Sequence, residues 1–67
     1  MIKINESDKK ILEKYKIDYN KYEELNDLLI ELNDVMISYR DENDEPLSEW
    51  LELEKVYDRI YDLNIED

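Results

Sequence analysis

Tyr22-Glu23-Glu24-Leu25-Asn26-Asp27-Leu28-Leu29-Ile30-Glu31-Leu32-Asn33-Asp34-Val35-Met36-Ile37-Ser38-Tyr39 is the stretch that decides the fold. Its apolar residues Tyr22, Leu25, Leu29, Leu32, Met36 and Tyr39 recur at spacings of 3, 4, 3, 4 and 3. That is the a/d pattern of a packed helix and predicts a helix over 19–40. Leu28 and Val35 lie beside the seam, and Ile30 and Ile37 lie on its other side. At the helical rotation per residue the apolar arc covers about 220° of the circumference. Packing against one neighbour needs only about 100°. The helix is therefore expected to be wedged between two neighbours or shared with a second copy of the chain.

Towards the C-terminus, Asp41-Glu42-Asn43-Asp44-Glu45 places four acids in five residues before Pro46. Proline suits the first turn of a helix, where its missing N–H loses no bond. Trp50, Leu53, Tyr57 and Ile60 then repeat the 3, 4, 3 spacing, with Leu47, Val56, Tyr61 and Leu63 widening the stripe. This predicts a helix over 46–63, and a five-residue connection favours an antiparallel hairpin.

Towards the N-terminus, Ile4, Ile11, Leu12 and Tyr15 form a narrow stripe that predicts a shorter helix over 6–16. Asn5 or Ser7 can cap it, and Asp8 falls in the first turn, where negative charge is favoured. Ile17 and Tyr19 lie at the break, where Asp18 and Asn20 are both competent caps. Asn20 with Glu23 has the spacing of a capping box for the central helix. The expected architecture is a single all-α domain: an antiparallel helical hairpin of two long helices plus a short N-terminal helix, as a small three-helix bundle.

A 67-residue chain buries a small core. Such chains lean on disulfides, a metal, regular helix packing or a second subunit. Cysteine and histidine are both absent. Disulfides are excluded and a zinc site is disfavoured, which leaves packing and a homodimer as sources of stability. Glycine is also absent, so no phosphate-cradling Gly-rich loop is possible. No apolar run reaches membrane-spanning length and residues 1–10 lack the apolar core of a signal peptide, so a cytoplasmic protein without a membrane partner is expected.

The net charge of −11 is unevenly distributed. Residues 1–21 carry six bases and four acids, whereas residues 22–67 carry three bases and sixteen acids. The second part would repel phosphates instead of releasing counterions, so direct nucleic-acid binding is not expected.

Two patterns point to cation chemistry and are outweighed by plainer readings. From Asp41, a calcium-loop register puts Asp41, Asn43, Glu45, Leu47, Glu49 and Glu52 at the ligand positions. Its sharp turn normally requires Gly, and here Pro46 holds φ negative, while Ser48 stands where an apolar residue belongs. An acidic helix–helix turn is the simpler account. Glu24 with Asp27, and Glu31 with Asp34, have the E-x-x-D spacing of magnesium-binding helical pyrophosphohydrolases. They lie opposite the apolar seam and so face water, where no desolvated pocket tunes an acid or base. No catalytic residue, metal site or cofactor is predicted, and the chain is read as a non-enzyme.

The tyrosines and Trp50 fall on or beside the seams and are first of all core residues. Tyr15, Tyr19 and Tyr61 are the three most open to serving as an aromatic interface. Asn26, Asn33 and Arg40 make a heptad-spaced polar row inside the apolar arc that can fix register, or simply bind water at its edge.

The acids of the central helix have no lysine four residues on, and Glu54, Asp58 and Asp62 stack like charges at i, i+4. Such a surface gives solubility at some loss of stability. It also complements a basic protein surface. The residues expected to make that contact are Asp27, Glu31, Asp34, Asp41, Glu42, Asp44, Glu45, Glu54 and Asp58. In size, charge and helix pattern the chain resembles the small acidic helical antirepressors and phage-encoded inhibitors. That resemblance implies nucleic-acid mimicry: carboxylates standing in for phosphates in the groove of a DNA-binding or RNA-guided protein. The helical-hairpin phosphatases of sporulation control share the size but carry a Ser-Gln-Glu-Leu-Asp signature, which Leu53-Glu54-Lys55-Val56-Tyr57-Asp58 does not match. The alternative expectation is a structural, oligomerising or antitoxin-like module whose interface is the apolar and aromatic face.

Overall fold

The computed structural model describes residues 2–65. Among them are three α-helices, α1 (Glu6–Lys14), α2 (Leu25–Ile37) and α3 (Ser48–Ile65), with a 3-10 turn at Tyr19–Lys21 and no strand. None of these helices is long and apolar enough to cross a membrane.

Helix α1 starts where Asn5 accepts the Asp8 amide at 2.9 Å, satisfying one of the free donors of the first turn. It ends at Lys14, two residues earlier than the stripe predicts. The Ile17 amide donates to the Leu12 carbonyl at 2.9 Å, and the Lys16 amide to that of Glu13 at 3.0 Å. These are the two bonds of a Schellman motif, and both Ile17 and Leu12 are buried in the same core cluster. The motif needs a left-handed residue, and with no glycine in the chain Lys16 takes it, at φ 59°.

The central helix differs most from expectation. It begins at Leu25, not at residue 19, and ends at Ile37, not at 40. Asp18 accepts the Asn20 amide and turns residues 19–21 into a 3-10 segment. Tyr22 and Glu24 then follow in extended conformation. Tyr19 and Tyr22 still pack on the core from this irregular backbone. Apolar residues at helical spacing thus reach the core without a helix beneath them. The Asn20–Glu23 capping box does not start α2: the cap position is Glu24, which makes no side-chain capping bond. At the other end Ser38 Oγ donates to the Val35 carbonyl at 2.6 Å. Tyr39 and Arg40 leave the helix to pair with the far side of the turn. The Leu47 amide donates to the Tyr39 carbonyl, and Arg40 and Pro46 form an isolated antiparallel bridge. Pro46 is therefore spent on that bridge and α3 begins at Ser48, running on to Ile65.

Leu12, Ile17, Leu28, Leu29, Leu32, Met36, Leu53, Val56 and Ile60 make one buried cluster drawn from all three helices. Helix α2 packs chiefly on α3, and α1 also packs on α3. Two polar ties reinforce these contacts. Asp8 of α1 is fully buried, and Arg59 of α3 donates to it from Nε, at 3.0 Å to each carboxylate oxygen, and from Nη2. The first-turn acid thus serves as a partner for α3. Asn64 clamps the extended N-terminal segment to the end of α3, accepting the Lys3 amide at 2.7 Å and donating to its carbonyl at 2.8 Å.

Candidate functional site

The buried residues of α2 are Leu28, Leu29, Leu32 and Met36, and at 100° per residue Asp27 and Asp34 stand on the opposite side. Both are exposed, and Glu31 is half-buried towards the flank. On α3 the core residues Leu53, Val56 and Ile60 likewise set Asp58 outward, with Glu54 half-buried beside it. Asp41, Glu42, Asp44 and Glu45 are all exposed in the connection. Of the nine acids, Asp27, Asp34 and Asp58 thus face outward on the two helices, Glu31 and Glu54 sit half-buried on their flanks, and four lie exposed in the turn. They do not converge on one point.

The turn acids are not equivalent. Asp41 accepts the amides of Asn43 at 2.8 Å and Glu45 at 3.0 Å on a single oxygen, so its carboxylate holds the turn closed. Asp44 sits in the left-handed region at φ 61°. It meets Arg40 through its backbone carbonyl at 2.6 Å and its carboxylate at 3.5 Å. The Glu42 and Glu45 carboxylates make no ion pair or side-chain hydrogen bond among the described residues.

Among the described residues the ion pairs are Lys9 with Glu6, Lys14 with Glu52, Arg40 with Asp44, and Arg59 with Asp8. Of the nine acids only Asp44 appears there. The N-terminal lysines spend themselves on Glu6 and Glu52 or stay exposed, as Lys10 and Lys16 do. Lys21 comes nearest to a further tie: its pKa is held up chiefly by the Tyr22 phenol, with Glu31 and Asp18 adding to it.

The three tyrosines fare differently. Tyr15 and Tyr19 are half-buried against the core, and each donates its hydroxyl to a carboxylate, Tyr15 to half-buried Glu52 at 2.7 Å and Tyr19 to exposed Glu13 at 2.9 Å. Tyr61 is exposed. The α2 flank carries more open apolar surface than any of them: Ile30 is 53% and Ile37 60% exposed, beside exposed Asn26 and Asn33.

One grouping was not foreseen from the sequence. Lys14, Tyr15, Tyr39, Ser48, Glu49 and Glu52 line an open cleft of about 410 Å³ where α1 ends, α2 ends and α3 begins. The Tyr15 and Tyr39 rings meet edge to face at 5.4 Å. Lys14 Nζ lies 2.9 Å from Glu52 and 5.1 Å from the Tyr15 ring centre. Burial, the bond to Glu52 and the negative charges of Glu52 and Glu49 all push the Tyr15 phenol pKa up. Glu52 is held below the usual carboxylate value by the Tyr15 hydroxyl first and Lys14 second. The i, i+3 placement of Glu49 and Glu52 was legible; their meeting with Tyr15, more than thirty residues earlier in the chain, was not.

Among the described residues no group of three Asp or Glu side chains comes together closely enough to hold a metal ion. No family profile, curated protein or solved structure matches this chain.

Proposed function

We propose that this chain is a non-enzymatic, protein-binding regulator whose acidic exterior occupies a basic surface of a target protein. In this reading α2 and α3 form an antiparallel hairpin, and the carboxylates along it and around its turn stand in for nucleic-acid phosphates. The target is then a DNA-binding or RNA-guided protein, inhibited by occupation of its groove, as an antirepressor or anti-CRISPR protein of a phage or mobile element would do. The observation that carries this reading is the lack of internal neutralisation: of the nine candidate acids, Asp44 alone is ion-paired among the described residues. Unpaired like charges destabilise the chain that holds them, and complementarity to a basic partner offsets that penalty on binding.

The test is capture from a nuclease-treated lysate on the immobilised full chain, with duplex DNA as competitor. The reading expects basic nucleic-acid-binding proteins, displaced by DNA and lost when Asp27, Asp34 and Asp58 are changed together to Asn. Partners indifferent to DNA and retained by the triple variant would overturn it.

A second reading rests on Ile30 and Ile37. Here the outer face of α2 pairs with another helix, in a homodimer or an antitoxin-like complex. Sedimentation equilibrium of the wild type and of the Ile30→Gln/Ile37→Gln variant, which adds no charge beside Asp27 and Asp34, separates the two. The second reading requires a dimer that the variant abolishes, and the first leaves target binding intact in that variant.

A further inference from the structure

We propose that the cleft between Tyr15, Tyr39, Glu49 and Glu52 receives a single cationic side chain, an arginine or lysine, of the partner protein. The inference rests on the reading above in taking the partner to be basic, and adds a specific receptor on a part of the surface that the nine acids do not include.

The cleft already shows what it attracts. Lys14 places its ammonium 2.9 Å from Glu52 and 5.1 Å from the Tyr15 ring centre, the combination of carboxylate and aromatic face that holds cations elsewhere. The lining has two carboxylates and one cation. Glu49 is half-buried on the wall, and among the described residues its side chain is bonded only by the neighbouring Ser48 hydroxyl, at 3.1 Å. A negative charge is thus left over beside two tyrosine rings. Lys14 is also loosely held: its side chain is 61% exposed, and an exposed ion pair contributes little. It can swing into water and cede Glu52 to an incoming cation. A guanidinium suits the site well, because it can fork between carboxylates and stack on a ring. The volume of about 410 Å³ lies at the small end of ligand clefts, which typically run from about 300 to 1,000 Å³.

A purely structural role, in which Lys14, Tyr15 and Glu52 merely tie α1 to α3, makes different predictions. The probe is acetyl-Gly-Arg-Gly-amide, titrated into the isotopically labelled full chain at constant ionic strength, with the neutral citrulline tripeptide as its isostere. The proposal expects saturable NMR shifts at Tyr15, Tyr39, Glu49 and Glu52 with arginine and none with citrulline. Glu49→Gln should weaken binding about fivefold, the effect of one exposed ion pair. Lys14→Met should strengthen it by a similar factor by removing the internal competitor. Unchanged Leu53 and Ile60 methyl signals would certify the fold of each variant. The proposal is overturned if no saturable shift appears at these residues, if citrulline binds equally, or if Lys14→Met binds no better than wild type. Loss of tripeptide binding with target capture still dependent on Asp27, Asp34 and Asp58 would sink the cleft alone. Tripeptide binding with acid-independent capture would sink the broader reading alone.

Discussion

Asp8 keeps its carboxylate out of water while its partner Arg59 has a side chain 45% exposed. That asymmetry fixes how the pair responds to mutation. Arg59→Met leaves a buried carboxylate without its guanidinium and should destabilise by about 3 kcal/mol, the low end for an uncompensated buried charge. Asp8→Asn leaves Arg59 free to turn to water and should lose only about 1 kcal/mol. Urea denaturation of the two variants measures both, and the reverse order would refute the buried geometry. Glu52 gives a pH prediction. Tyr15 and Lys14 hold its pKa below the ordinary 4.5. A carboxylate lowered on folding contributes stability above its unfolded value and loses it as pH falls through the folded one. The contribution should therefore fade below pH 4.5. Tyr15→Phe should move the Glu52 carboxyl midpoint, followed by carbon NMR, back up towards 4.5. A midpoint that stays put would mean the hydroxyl does not bind there.

Among the elements, α1 and its Schellman ending carry the clearest engineering consequence. Lys16 holds a left-handed conformation at φ 59° that disfavours a side chain by about 1–2 kcal/mol, partly offset in glycine by greater freedom in the unfolded chain. Lys16→Gly should raise stability by about 0.5–1 kcal/mol, visible as a higher melting temperature. A fall would show that the Lys16 side chain contributes more than its backbone strain. The two longer helices were legible in the sequence because Leu29, Leu32, Met36, Leu53 and Ile60 repeat at helical spacing and are buried. The start of α2 was not. Tyr22 obeys the same spacing from an extended backbone, and the decisive signal, Asp18 turning residues 19–21, competes with an equally plausible cap at Asn20. The end of α2 was hidden too, because the pairing of Arg40 with Pro46 is a tertiary event no periodicity records.

For the whole molecule, the same division appears. That the acids of residues 22–67 would face outward followed from their placement against the apolar seams, and Asp27, Asp34 and Asp58 do so. That Asp41 would serve its own turn, and that Glu49 and Glu52 would join Tyr15 and Tyr39, depends on how three helix ends meet. The wide apolar arc of α2 called for two neighbours or a second copy of the chain, and its Ile30 and Ile37 flank is exposed, the observation on which the pairing alternative rests. The most direct test of the central claim is the affinity of the captured partner for the full chain, measured by calorimetry from low to physiological salt. An interface built on unneutralised carboxylates predicts a steep fall in affinity over that range, with the Asp27, Asp34 and Asp58 to Asn variant weak and nearly flat. An affinity that barely changes with salt in the wild type would contradict it.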